Sequence, residues 1–142
     1  MGRCIGIALL TAVLAGCQQQ RSGEKPVYRI GGVIRVDGVP QEGVQVILHD
    51  QAGIDTDQPT FPNGYTDAAG RPVISTYANG DGAPVGEYRV TFFWGQVNPL
   101  SMSYGGPDRL GGRYQDAAQS QVLLRVTGQG GNDLGVVDLT TR

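Results

Sequence analysis

The amino-acid sequence predicts an all-β domain, a seven-stranded antiparallel β-sandwich, that follows an N-terminal export signal. Three observations predict this fold. Apolar residues alternate with polar ones in several short segments, turn-forming residues separate these segments at nearly regular intervals, and no segment beyond residue 16 keeps a helical period over ten residues. The 23 glycines and 8 prolines among 142 residues are scattered without a period, which fits many tight turns.

Seven segments carry the strand pattern. The strongest is "EYRVTFFW" at 87–94, in which Tyr88, Val90 and Phe92 share one face. Successive side chains of a strand point to opposite faces, so each such segment is expected to bury one face. In the first segment, "VYRIGGVIRV", the glycine pair is expected to let the strand bend. The predicted strands are 27–36, 44–49, 65–66, 73–77, 87–94, 121–127 and 134–139.

The first 17 residues have the order of an export signal. Arg3 precedes an apolar run at 5–14, the small residues Ala15 and Gly16 follow, and Cys17 ends the segment. Ten residues at about 1.5 Å each span about 15 Å, which is too short to cross a hydrocarbon core of about 30 Å. The stretch "LAGC" at 14–17 resembles the lipobox of bacterial lipoproteins. In that family the cysteine thiol receives a lipid, the signal is cut before the cysteine, and the new amine is acylated, for example with palmitate.

This resemblance implies a mature chain that begins at Cys17. The expected organisation is a signal peptide at 1–16, a polar tether at 17–26 and a β-sandwich at 27–142. One acyl chain holds a protein at a membrane only marginally, whereas two or three hold it durably. Cys4 would leave with the signal, so the mature chain would contain no disulfide. The alternative is an ordinary secretory signal with an incidental cysteine.

The charge pattern limits the classes of partner. Eleven basic and 13 acidic residues give a net charge of −2, and neither sign is clustered. A nucleic-acid-binding protein needs a basic patch, so no nucleic-acid partner is expected. The expected partners are a membrane, contacted through lipidated Cys17, and an unidentified envelope protein or glycan. The expected location is the cell envelope, anchored by lipid in the outer membrane or facing the periplasm.

Three motifs in order carry a second resemblance. They are "IGGVIRVDGVPQEGVQVIL" at 30–48, "GYTDAAGRPVISTY" at 64–77 and "GDGAPVGEYRVTFFW" at 80–94. Together they resemble the transthyretin-like, carboxypeptidase-regulatory-like domain of small bacterial lipoproteins. The resemblance covers about residues 28–140 and implies a Greek-key sandwich that acts as an accessory module. Pro72-Val73 departs from the aromatic residue that the family has after its turn, although proline fits the first position of a strand.

Catalysis is not expected. His49 is the single histidine, lies out of phase with the apolar residues of its strand, and is expected to face solvent. Asp50 follows it, but no nucleophile motif accompanies the pair. The transthyretin-like family includes a hydrolase that uses histidines and a Tyr-Arg-Gly-Ser-type tail. This chain ends in "DLTTR", so the hydrolase is the least favoured function.

No cofactor or metal is expected. One histidine and no free cysteine are too few ligands for a zinc site. Calcium takes six to eight oxygen ligands, and loops of a sandwich can converge, so a calcium site formed by loop aspartates stays an open alternative. "NGDGAP" at 79–84 lacks the spacing of a calcium-binding loop. The aspartates concerned are Asp55, Asp57, Asp67, Asp81 and Asp108.

Two long loops, 50–63 and 95–119, are the candidate binding surface, because binding residues concentrate on loops carried by a rigid scaffold. Phe92 and Trp94 follow the core phase of their strand, whereas other aromatic residues lie in or beside the loops. We expect "DRLGGRY" at 108–114 to fix the second loop through an arginine–carboxylate pair. The candidate binding residues are Phe61, Tyr104, Asp108, Arg109 and Tyr114.

The sequence therefore favours an exported, lipid-anchored, non-catalytic β-sandwich with a structural or protein-interaction role. The alternative is a carbohydrate- or peptide-binding module for envelope assembly or uptake.

Overall fold

The computed structural model describes residues 23–142, and this part of the chain is all-β. Strands make up 41% of it, and its one short helix is a 3₁₀ turn at Ala117–Gln119. The twelve strands of the described part are β1 (Val27–Tyr28), β2 (Gly31–Val36), β3 (Val39–Pro40), β4 (Gln45–Asp50), β5 (Asn63–Thr66), β6 (Pro72–Ser75), β7 (Ala83–Pro84), β8 (Gly86–Phe93), β9 (Gln96–Val97), β10 (Tyr104–Gly105), β11 (Leu123–Val126) and β12 (Asp133–Leu139).

The predicted signal peptide at 1–16, the lipidation site Cys17 and the tether as far as residue 22 lie outside the described residues. Between 23 and 142 no helix is long and apolar enough to cross a membrane.

Two larger sheets and two short ribbons organise the strands. One sheet has five antiparallel strands in the order β11-β8-β4-β5-β6. The other has three strands in the order β12-β2-β3. β1 pairs with β7, and β9 pairs with β10, each pair forming a separate two-stranded ribbon.

The hydrophobic core contains side chains from both larger sheets. In β4 and β8 every second residue is buried, and the predicted phase is confirmed at Val46, Tyr88 and Phe92. Ile34 of β2 and Leu139 of β12 belong to the same core cluster. Full burial of one such aliphatic side chain contributes about 1.5–3 kcal/mol, so this shared cluster is the main source of stability.

The expectation of a purely antiparallel arrangement is wrong for one pair. β12 runs parallel to β2, with a bulge between Asp133 and Val136, where Gly135 has a φ of +70°. After β11 the chain turns at 127–132 and crosses from the five-stranded to the three-stranded sheet. Asp133 then pairs with Gly31 at the start of β2. Alternation of side chains fixes which face is buried but carries no information on strand direction.

The sequence did not predict the two-residue strands as separate elements. The predicted strand 27–36 is two strands in two different sheets, and Gly32 after the break has a φ of +130°. β7, β9 and β10 lie in segments predicted as turns or loops. Two residues are too few to show a period of two, which explains why the sequence missed them.

Tyr88 fixes the start of β8 through its hydroxyl group. Its ring is 1% exposed, and its hydroxyl donates a hydrogen bond of 2.9 Å to the backbone oxygen of Pro84. Burial, followed by the charge of Asp50, raises the pKa of Tyr88 to about 12. The phenol therefore stays protonated, and keeps this bond, well above neutral pH.

Candidate functional site

The five-stranded sheet has two ends that differ in what they carry. Asp50 pairs with Tyr88 where β8 begins, and Gln45 pairs with Phe93 where β8 ends. The described chain enters beside the first of these, because Val27 of β1 pairs with Pro84 of β7 just before β8. We call this the entry end and the opposite one the distal end. The eight residues of β8 separate them by about 27 Å.

A rigid hairpin leaves the distal end. β9 and β10 are joined by residues 98–103, which we call the tip loop. The side chain of Asn98 accepts hydrogen bonds from the backbone N–H groups of Leu100 (2.9 Å) and Ser101 (3.3 Å). The backbone oxygen of Asn98 accepts another from Met102 at 2.8 Å. These three bonds close the tip loop on itself, and none of them involves a core residue.

The tip loop presents apolar side chains to solvent. Leu100 is 95% exposed, Met102 is 77% exposed, and Val97 at the base is 56% exposed. Met102 has a φ of +53°, a left-handed conformation that is uncommon for such a residue. No charged residue occurs between 95 and 107. Backbone strain and exposed apolar side chains often occur together at binding surfaces. The tip loop is therefore a candidate binding surface.

A groove of about 530 Å³ lies beneath the hairpin at the distal end. We call it the aromatic groove. Its walls combine aromatic and apolar side chains with planar polar ones, as small binding sites commonly do. The lining side chains include Gln41, Glu42, Tyr65, Trp94, Gln96, Val97, Tyr104 and Arg109.

Tyr104 forms a fixed wall of the aromatic groove. Its ring meets Tyr65 edge-on at 4.8 Å between centroids, and Phe93 at 5.8 Å. Its hydroxyl accepts a hydrogen bond from the N–H of Gly95 (2.7 Å) and donates one to the backbone oxygen of Gly43 (2.8 Å). Burial raises the pKa of Tyr104. Tyr104 thus joins the hairpin to the sheet and shapes the groove.

Arg109 lies over Trp94, with its guanidinium carbon 4.8 Å from the ring centroid. It also donates a hydrogen bond of 2.8 Å to the side chain of Gln96. The expected arginine–carboxylate pair is wrong: Arg109 stacks on an aromatic ring, and Arg113 binds the backbone oxygens of Thr140 and Thr141. The spacing of residues in "DRLGGRY" does not show that the side chains of Arg109 and Arg113 point away from the carboxylate of Asp108.

Asp108 fixes the loop instead. One carboxylate oxygen accepts hydrogen bonds from the N–H groups of Trp94 and Leu110, each at 3.0 Å. The other accepts from Gly112 and from the side chain of Gln115, each at 2.9 Å. Burial acts to raise the pKa of Asp108, but these donors outweigh it and hold the pKa below its usual value. Asp108 positions the groove and does not line it.

Two predicted binding residues lie elsewhere. Tyr114 packs edge-on against Phe92, and its hydroxyl accepts a hydrogen bond of 3.1 Å from the N–H of Thr140. Phe61 is 64% exposed and lines a second groove, of about 430 Å³, under loop 51–62. In that groove the lysine Lys25 binds Asp55 at 2.6 Å, and this contact holds the pKa of Asp55 at about 2. The structure therefore brings together Tyr104, Asp108 and Arg109 but not all five.

The sequence missed four residues of the distal end. The sequence places Leu100 and Met102 in a loop without a predicted role. It places Trp94 in the core and Tyr65 in a short strand. The available signal was the absence of charge over 95–107 together with three apolar side chains in a turn. Trp94 is only partly buried because β8 ends one residue before it.

His49 lies on the face of β4 opposite to the buried Val46 and Leu48, as its phase predicts, and is partly covered there. Its Nε2 lies 2.8 Å from the hydroxyl of Thr91, which is 3% exposed. The carboxylate of Asp50 accepts a hydrogen bond from the N–H of Ala52 instead of holding the imidazole. This histidine–threonine contact links two neighbouring strands across the sheet.

The loop aspartates bind the backbone of their own loops. Asp67 accepts hydrogen bonds from the N–H groups of Ala69 and Arg71, and Asp81 from that of Thr76. Within residues 23–142 no three histidine, cysteine, aspartate or glutamate side chains lie close enough to hold a metal ion.

The chain matches no family model, no curated protein and no solved structure. Membership of the transthyretin-like family therefore stays a prediction. The geometry of the distal end is what bears on function.

Proposed function

We propose that this chain is an exported, lipid-anchored β-sandwich of the transthyretin-like, carboxypeptidase-regulatory-like type, with a non-catalytic protein-interaction role in the cell envelope. In this proposal the five-stranded and three-stranded sheets are the two layers of an elaborated sandwich. The core shared by the two sheets and the Tyr88 hydrogen bond at the start of β8 support it.

One observation carries the interaction role: the uncharged apolar tip loop projects from the end opposite to the chain's entry. Interfaces between proteins are enriched in aromatic residues, methionine and arginine. Met102 at the tip and Trp94, Tyr65 and Arg109 beside it have this composition.

The position of the anchor favours a protein partner over a bilayer. Seven residues lie between Cys17 and Lys25, so an extended tether of eight residue steps reaches about 28 Å at most. The tether joins the entry end, and the tip loop lies about 27 Å farther along β8. When the tether is extended and the domain stands upright on it, the tip loop is the part of β8's sheet farthest from the lipid, which favours a protein partner there.

The anchor is tested by the mass of the protein from a lipoprotein-processing host. We expect a chain that begins at Cys17 and carries acyl mass, and we expect Cys17→Ala to lose both the acyl mass and partitioning into the detergent phase. Two acyl chains together give strong membrane binding, so the difference between the two forms is expected to be nearly complete. Retention of residues 1–16, or partitioning of the Cys17→Ala protein with detergent, would contradict the anchor.

The interaction role is tested by a photo-crosslinking residue placed at position 100 in living cells. The matched control is the same residue at position 136, where Val136 is 61% exposed on β12. We expect a discrete protein adduct from position 100 only, reduced at least tenfold by Met102→Asp, because a charge in an apolar contact costs about 2 kcal/mol or more. Adducts with lipid alone, or equal adducts from both positions, would refute the role.

The aromatic groove favours a second candidate function, a carbohydrate- or peptide-binding module for envelope assembly or uptake. The groove is distinct from the tip loop but touches it through Gln96 and Val97, which lie at the base of the hairpin.

A further inference from the structure

We propose that the aromatic groove binds a neutral, unbranched oligosaccharide. The inference rests on the second candidate function above and names its ligand class. Three features of the groove carry it: the exposed aromatic surface, the balance of its polar side chains, and the state of its backbone groups.

The apolar half of the groove suits the C–H faces of sugar rings. Tyr65 is 40% exposed and projects from β5 on the outer side of the sheet. Trp94 and Val97 complete the apolar lining at the end of β8 and in β9. A pyranose ring has one face covered by C–H groups, and these pack against aromatic carbon with little loss of hydration.

The polar half suits hydroxyl groups without net charge. Gln41, Glu42, Gln96 and Arg109 supply planar amide, carboxylate and guanidinium groups, which together both donate and accept hydrogen bonds. A sugar hydroxyl also does both. Glu42 and Arg109 carry opposite charges, so the groove as a whole favours neither an anionic nor a cationic ligand. A neutral glycan satisfies both halves.

The groove is already organised for binding. Arg109 is held by Trp94 and by Gln96 at 2.8 Å. Tyr104 is held by backbone groups on two sides. Side chains that are fixed before binding lose less conformational entropy when the ligand arrives.

The backbone of the groove argues against an extended peptide. Peptides that add to a sheet need a row of unpaired N–H and C=O groups. Here the N–H of Gly43 donates to the backbone oxygen of Thr66 at 3.0 Å, and its oxygen accepts from Tyr104. The N–H of Gly95 is bound by Tyr104 as well. Three backbone groups of these two glycines are therefore already paired, which leaves no row of free groups of the kind that an added peptide strand needs.

Trp94 provides the test, because it is the single tryptophan of the chain. Its emission is followed while the purified full-length protein is titrated with cellohexaose, maltohexaose or chitohexaose, in a detergent without a sugar headgroup. We expect a saturable change with at least one of the three. Tyr65→Ala is expected to weaken that binding at least tenfold, whereas Tyr65→Phe keeps the ring and stays within twofold of wild type.

Tyr77→Ala is the matched control, since Tyr77 is 38% exposed and lies near the entry end, where its hydroxyl meets the N–H of Lys25. Its thermal melt and that of Tyr65→Ala show whether each variant is folded. The proposal is overturned if none of the three sugars changes the emission or gives heat in calorimetry. It is also overturned if Tyr77→Ala weakens binding as much as Tyr65→Ala.

A neutral decapeptide of alternating valine and threonine is the competing probe. Binding of this peptide in a Tyr65-dependent way, without binding of any sugar, would replace the glycan by a peptide. The variant Met102→Asp separates the two proposals: it is expected to keep sugar binding while losing the protein adduct from the crosslinking residue at position 100. If the sugar titration fails, the crosslinking result at position 100 still stands, so the two proposals can be judged separately.

Discussion

Gly64→Ala is expected to lower the free energy of unfolding by about 4 kcal/mol or more. Gly64 is buried in β5, between β4 and β6. A methyl group there would lie 1.8 Å from the backbone oxygen of Val73 and 2.7 Å from its carbonyl carbon. Both atoms belong to a strand paired with β5, so relief requires the sheet itself to separate.

Urea denaturation followed by circular dichroism measures this loss. Gly105→Ala is the matched control, because Gly105 also lies in a strand and an added methyl group meets nothing within 4 Å. We expect the control to change stability by less than about 1 kcal/mol. A loss of under about 1 kcal/mol for Gly64→Ala would show that β5 and β6 are not in such close contact.

Asp108→Ala is expected to destabilise the protein by about 3 kcal/mol and to loosen the distal end. The change removes one carboxylate that accepts four hydrogen bonds, three of them from the backbone. Trp94 and Leu110 would keep partly buried N–H groups without an acceptor. Because Arg109 follows directly, we also expect its stacking on Trp94 to weaken, with a red shift of the tryptophan emission.

The pH dependence of stability gives a second measurement for Asp108. Its pKa in the folded state lies below the ordinary value of 3.8, so its contribution is present above pH 3.8. It is lost as the pH falls through the lowered pKa. Plots of the free energy of unfolding against pH for the wild type and Asp108→Ala should therefore converge at low pH. Plots that stay parallel down to low pH would contradict this role of Asp108. Asp108→Asn, which keeps one acceptor oxygen, should lie between them at neutral pH.

The sequence was sufficient for the seven longer strands and their buried faces, because alternation is a direct signal of a half-buried strand. It predicted the burial of Val44, Val46 and Leu48 correctly, along with the position of Pro72 at the start of β6. It was not sufficient for strand direction. The parallel pairing of β12 with β2 depends on how the chain crosses between sheets, and the six residues of that turn carry no such information.

The site was predicted less completely than the fold. Tyr104 and Arg109 were identified as loop residues with binding potential, and both line the groove. The sequence places Trp94 in the core because it alternates in register with Phe92. Alternation predicts burial only within a paired strand, and β8 ends before Trp94. Phe61 and Tyr114 lie in the predicted loops and still point to other surfaces, since loop membership does not fix direction in space.

The short ribbon of β1 and β7 would have a mechanical consequence in the lipid-anchored protein proposed above. β1 belongs to neither large sheet and is paired at two residues. The Lys25–Asp55 ion pair is exposed to solvent and therefore adds little stability. A pull on the N-terminus therefore acts on this ribbon and on partly buried Tyr28 before it strains Ile30, the first residue of the buried core cluster. Residues 25–29 would then add about 17 Å of extended chain to the tether. The five-stranded sheet would stay intact while this ribbon separates.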